Sequence, residues 1–187
     1  MLLLVLGLAV FLGAHLVPVF PSLRARLVAR VGETRYKGLF SAASAVGLVL
    51  IAVGYAIAPP TRAFAPWPPA IAAAPIAITL ALVLVAAGNL RGHIAATLKH
   101  PMLIGTLVWA FVHLAANGEA KATLLFGGFL AWALVDLASV VRRGAVRSFV
   151  PTWRHDVIAV VGGVALALAV AWLHRPLFGV RVVPFGW

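Results

Sequence analysis

Residues Ala70–Gly88 read AIAAAPIAITLALVLVAAG, a run without a single ionisable side chain. A helix that crosses the hydrocarbon of a bilayer needs about 20 such residues. Pro66, Pro68 and Pro69 stand before the run and Asn89-Leu90-Arg91 follows it. Prolines mark turns and helix starts, so this reads as one bounded transmembrane helix. Working outward, five further apolar runs appear at Leu2–Phe20, Leu39–Ala58, Met102–Ala116, Ala122–Val141 and Val157–His174. Pro21, the pair Pro59 and Pro60, Gly118 and Gly144 punctuate them.

The whole composition agrees with these runs. The chain has 187 residues, 64% of them hydrophobic and 10% charged, and its mean hydropathy is +1.09. Soluble domains carry about 25% charged residues, and a small protein exposes too much surface to hide this much apolar area from water. The expected fold is all-α: a polytopic transmembrane bundle of about six helices, forming one integral membrane domain over residues 1–187. The fourth run, Met102–Ala116, is the shortest and draws on its flanks or lies within protein.

Fifteen basic residues oppose four acidic ones, a net charge of +11. Such a balance also occurs in nucleic-acid-binding proteins. Here, however, the cations sit between apolar runs, where they set topology and meet anionic headgroups. The expected partner is therefore the lipid bilayer, not nucleic acid. Arg24, Arg26, Arg30, Arg35, Lys37, Arg91, Lys99, Arg142, Arg143, Arg147 and Arg154 fall on one side; Arg62, Lys121, Arg175 and Arg181 fall on the other. The positive-inside rule puts the richer side in the cytoplasm and both termini outside. Trp67, Trp153, Trp172 and Trp187 lie near expected interfaces. The first basic residue, Arg24, follows the first apolar run, so that run is expected to be a retained helix rather than a cleaved signal. There is no cysteine, which excludes disulfides, iron–sulfur clusters and thiolate ligands.

Ionisable groups at membrane depth are costly and mark function. His15 lies within the first run, before Pro18. His113 lies within the fourth, with Trp109 one turn earlier and Asn117 one turn later. A stripe of that kind on an otherwise apolar helix should face the bundle, either as a hydrogen-bond network or as a metal or haem ligand. Counting along the helices puts His15 roughly 20 Å from the outer surface and His113 roughly 18 Å from the inner one. In a core of about 30 Å the two differ by roughly 8 Å in height. Asp136, one turn after Trp132, is placed to pair with Arg142 or Arg143 or to reach the interface. His93 and His100 share a face if their segment is helical, and they lie at the cytoplasmic boundary where water solvates them. The small-residue pairs Ala43 with Gly47 and Gly54 with Ala58 are expected to serve helix packing.

Taken together, Asn89-Leu90-Arg91, Lys99-His100-Pro101-Met102, Gly105, Trp109, His113, Asn117-Gly118 and Leu125-Phe126-Gly127-Gly128 resemble the NnrU family of membrane proteins. His15 and the segment Tyr36-Lys-Gly-Leu-Phe-Ser41 match it as well. The family is associated with bacterial nitrite and nitric oxide metabolism, and its relative, the plant 15-cis-zeta-carotene isomerase, carries haem b. The resemblance implies a bacterial inner-membrane location and haem b ligated by His15 and His113. It also implies a hydrophobic small-molecule substrate for redox-linked or isoprenoid isomerisation chemistry. Trp109, Asn117, His100 and Arg91 would complete the cofactor-binding set. Ala110 stands where the isomerase has a cysteine, so exchange of histidine for thiolate on iron has no counterpart in this chain.

Two alternatives accompany this reading. One is a non-enzymatic accessory protein for nitrite or nitric oxide respiration, whose protein partner the sequence does not identify. The other is methyl transfer from S-adenosylmethionine near Arg91 and His100, because His100-Pro101-Met102-x-x-Gly105 resembles a motif of membrane methyltransferases. The paired glutamates of those enzymes are absent downstream.

Overall fold

A computed structural model describes residues 1–179 and 182. Arg181 and Trp187, placed above on the outer side and at an interface, lie outside the described residues. The described chain forms eight helices: α1 Leu2–Leu16, α2 Pro21–Val31, α3 Glu33–Ile57, α4 Pro68–Gly88, α5 His93–Leu98, α6 Pro101–Ala116, α7 Ala120–Arg142 and α8 Trp153–Phe178. All six apolar runs are helical, and α2 and α5 are two short additions between them.

Four helices, α3, α4, α7 and α8, are long and apolar enough to cross a membrane. The first run does not continue to Phe20. It stops at Leu16, and the chain then bends by 92° into α2. Pro18 explains the stop, since it has no N–H to continue the ladder and its ring clashes with the preceding turn. With this bent pair taken as one, up to five segments among the described residues meet that criterion of length and composition, and α6 is a shorter apolar helix beside them. The helix α6 is also short, at 16 residues. At 1.5 Å per residue, α1 and α6 are roughly 23 Å and 24 Å long, less than a bilayer core. They lie side by side with longer helices: α1 packs on α3 and α7, and α6 on α4 and α7. The helix α2 buries no residue and carries Arg24, Arg26 and Arg30 on an amphipathic surface. Its right-angle turn suits the headgroup layer.

The helices follow one another in space as α3, α1, α7, α6, α4, α8. Glycine sets the closest approaches. A Cβ at Gly47 would lie 2.7 Å from the backbone nitrogen of Phe11, one at Gly7 would lie 2.6 Å from that of Ile51, and one at Gly54 would strike the backbone of Leu4. The small residues Gly47 and Gly54 thus serve packing, as their spacing implies. Gly105 meets the Ala81 carbonyl, and Gly163 meets the backbone of Val83, so α4 is held between α6 and α8. Gly128 of α7 faces Leu12 and Leu8 of α1.

Two ends of the bundle are tied by hydrogen bonds. At one end, Ala63 N–H donates to the Gly118 carbonyl at 2.7 Å, Ala120 N–H to Thr61 at 2.8 Å and Trp67 N–H to Ala115 at 2.8 Å. At the other, Arg147 Nη1 donates to the Gly88 carbonyl at 3.0 Å and Ser139 Oγ to Val19 at 2.9 Å. This second end gathers the connections that hold the eleven basic residues counted above.

Candidate functional site

His15 is the penultimate residue of α1. Its Nδ1 lies 2.8 Å from the carbonyl of Phe11, one turn back. Because a carbonyl only accepts, Nδ1 is the donor, and Nε2 is the nitrogen left for another partner. The imidazole stacks on Phe11 at 4.2 Å between centroids and meets Phe40 at 5.0 Å and the edge of Trp132 at 5.7 Å. Trp132 in turn donates its indole N–H to the His15 carbonyl at 3.3 Å, one of the orphan acceptors at a helix end.

His113 occupies the same kind of setting on α6. Its Nδ1 lies 2.9 Å from the Trp109 carbonyl, so Nε2 is again the free nitrogen. Its ring stacks on Phe126 at 4.6 Å and meets Trp109 at 5.3 Å. Trp109 contacts Phe126 at 5.1 Å and Phe129 at 5.5 Å, and Phe129 contacts Phe11 at 5.6 Å. Phe11, Phe129 and Trp109 therefore link the two imidazoles through a continuous set of rings across α1, α7 and α6. On α7, His15 is level with Trp132 and His113 with Phe126, a difference of about 9 Å along the axis. The two histidines face a shared aromatic interior without touching.

One further group in this interior has no partner. The Tyr36 hydroxyl is buried and makes no hydrogen bond among the described residues, while its ring neighbours Phe40 at 6.4 Å and lies under Arg24 at 5.4 Å. An unsatisfied buried hydroxyl costs roughly 1–3 kcal/mol, and such groups call for an explanation.

Asn117 belongs elsewhere. Its Oδ1 accepts from Glu119 N–H at 3.2 Å, and its side chain lies near Tyr55. It closes the α6–α7 turn beside Gly118, whose φ of +78° requires glycine. His100 precedes α6 as its N-cap, with Pro101 at the first helical position. Lys99, at φ +62°, separates it from α5, so His93 and His100 do not share one helix. Pro101 and Gly105 both have structural explanations, a helix start and a close approach to α4, which weakens the methyltransferase resemblance. Asp136 lies on α7 toward the basic end, in the neighbourhood of Arg143, His100 and His15. It forms no ion pair within 4 Å among the described residues. Arg91 lies at the same end, in the connection between α4 and α5.

The sequence reading passed over Asp156. Its carboxylate is 6% exposed and accepts from His93 N–H at 2.8 Å, Ile94 N–H at 2.9 Å and His93 Nδ1 at 2.8 Å. It caps α5 from α8 while Trp153 stacks on the His93 ring at 4.2 Å. His93 is thus held by a carboxylate and a ring instead of standing free in solvent. A Cβ on Gly92 would strike this carboxylate. An Asp at the start of an apolar helix was the available signal, but its partner lies 63 residues away.

Apolar helices of spanning length, with polar side chains at membrane depth, define a multi-pass helical membrane protein. Within that class the chain belongs to the NnrU family: the family described as NnrU protein matches residues 3–182, nearly its whole length. No curated protein and no solved structure matches it.

Proposed function

We propose that this NnrU family protein binds haem b in the bacterial inner membrane, where His15 and His113 would hold it, and serves redox chemistry linked to nitrite and nitric oxide metabolism. The matched setting of the two imidazoles carries this reading. Each fixes Nδ1 on a carbonyl one turn back and offers Nε2 from inside an aromatic cluster. A neutral imidazole oriented through its second nitrogen is the donor that haem iron takes. The donor type fits the group, since a neutral imidazole is what haem iron takes. Phe11, Phe129 and Trp109 stand between the two imidazoles, so holding one iron between them would require these rings to move.

Bound there, haem supplies one-electron chemistry at iron. The chain's own residues do the rest. Phe11, Phe126 and Phe129 exclude water, Trp132 anchors the end of α1, and the Tyr36 hydroxyl offers a donor that no group among the described residues uses. Were both histidines to hold the iron, electron transfer or a structural role would be favoured over chemistry at an open site. Isomerisation of an isoprenoid draws less support, because Ala110 is fully buried and brings no thiolate.

The test is composition. Protein expressed with ample haem supply and purified in mild detergent should carry one haem b per chain by pyridine haemochrome assay. Protein that stays colourless under those conditions overturns the proposal.

A further inference from the structure

At the basic end, the connection between α7 and α8 folds over the turn between α4 and α5. Arg147 Nη1 donates to the Gly88 carbonyl at 3.0 Å, and Thr152 N–H donates to the Arg91 carbonyl at 3.0 Å. These bonds leave an open groove of about 450 Å³ lined by Arg91, Arg147, Ser148, Phe149 and Val150. Two arginines therefore line one cleft, and the Arg147 guanidinium lies over the Phe149 ring at 5.7 Å.

Neither guanidinium has a carboxylate within ion-pair distance among the described residues. Three of the four acids form ion pairs elsewhere, and the fourth, Asp136, lies on α7. Glu33 pairs with Arg24 and Lys37, and Glu119 pairs with Lys121. Asp156 holds His93 and the start of α5, and Asp136 lies in the neighbourhood of Arg143, His100 and His15. Two like charges beside one cleft, neither in ion-pair contact with a carboxylate among the described residues, favour an anion. Arginine's planar fork suits phosphate oxygens in particular.

The rim of the groove is apolar. Val150 is 84% exposed and the nearby Trp153 72%. An exposed tryptophan beside arginines at the end of a transmembrane bundle belongs to the interfacial layer. The complementary ligand is amphiphilic, with a phosphate head and a hydrocarbon body.

We propose that this groove is a specific site for a phosphate ester, supplied by an anionic phospholipid of the adjacent leaflet. Arg91 and Arg147 grip the phosphate, Ser148 adds a hydroxyl donor, and Phe149 and Val150 meet the glycerol and upper chains. The site tethers the connection between α7 and α8 to the membrane surface and does not depend on haem.

Native mass spectrometry of the detergent-purified full chain tests this, with phosphatidylglycerol or phosphatidylcholine added. The wild type should retain one phosphatidylglycerol in preference to phosphatidylcholine. The double variant R91Q/R147Q should lose about thirtyfold in that retention, as removal of two basic contacts implies. R26Q/R30Q on α2 removes the same charge and should retain the lipid. R91Q alone leaves the bond from Arg147 to Gly88 intact, and it should show a partial loss with unchanged thermal unfolding in lipid-free detergent. Equal losses in R91Q/R147Q and R26Q/R30Q, or no preference over phosphatidylcholine, overturn the site. If millimolar inorganic phosphate displaces the lipid and protects only chains that keep both arginines, the ligand is a soluble phosphate and the lipid assignment is overturned.

Discussion

Phe11 of α1 and Phe129 of α7 meet with their ring centroids 5.6 Å apart, and this contact joins the aromatic shell of His15 to that of His113. Phe129 also meets Trp109 edge-on at 5.5 Å. An aromatic pair contributes about 0.5–1.5 kcal/mol beyond the area it buries. Phe129→Leu keeps most of the volume and loses both pairs, so it should destabilise the bundle by about 1–3 kcal/mol. Reversible unfolding in mixed micelles, followed by tryptophan fluorescence, measures the loss; an unchanged midpoint would mean the rings are only neighbours.

The α1–α3 contact depends on glycine more than on apolar area, because lipid tails are as apolar as leucine and leave close packing to drive association. Gly47→Ala places a methyl group 2.7 Å from Phe11 backbone nitrogen and should cost about 1–3 kcal/mol, the range for overpacking. Gly13→Ala meets nothing within 4 Å and should be neutral or stabilising by up to about 1 kcal/mol. Thermal unfolding of the two variants side by side checks the difference. Equal midpoints would refute the packing account.

Asp156 should behave as the clasp between α8 and α5. Asp156→Ala leaves two backbone N–H groups of α5 and the His93 ring without their acceptor. A lost helix cap alone costs about 0.5–2 kcal/mol, so a lower midpoint is expected, with faster hydrogen exchange at Ile94. Asp156→Asn keeps an acceptor oxygen and should fall between the two. Unchanged exchange at Ile94 in Asp156→Ala would show that the cap is unimportant.

Much of this architecture was legible in the sequence, and the reasons are physical. Apolar runs such as Ala70–Gly88 announce themselves because only lipid tolerates them, and Gly47 and Gly54 announce close packing by their spacing. His15 and His113 stood out because an imidazole in hydrocarbon is costly wherever it lies. The bend after Leu16 was less visible: Pro18 signals a break, but the 92° turn depends on how α2 meets the surface. Asp156 was missed because its meaning depends on His93 and Ile94, which are brought to it by tertiary folding. Asn117 was grouped with Trp109 and His113 by helical spacing, yet the helix ends just before it and its side chain turns to Glu119 and Tyr55.

Orientation has a direct test, since the chain contains no cysteine. Single cysteines at Ser22, on the basic end, and at Ala65, on the opposite end, occupy exposed positions. In intact bacterial cells a membrane-impermeant maleimide should label Ala65→Cys and spare Ser22→Cys until the membrane is opened. The reverse pattern would invert the topology assigned from the arginine count.

The central claim is that one iron takes both intramembrane imidazoles. Electron paramagnetic resonance and absorption spectra of the oxidised, purified protein address it most directly. A low-spin bis-histidine signal is predicted for the wild type, with loss of that signal in His15→Ala and in His113→Ala separately while both variants remain folded. A low-spin signal that survives in either variant, or its absence from haem-replete wild-type protein, would contradict the account.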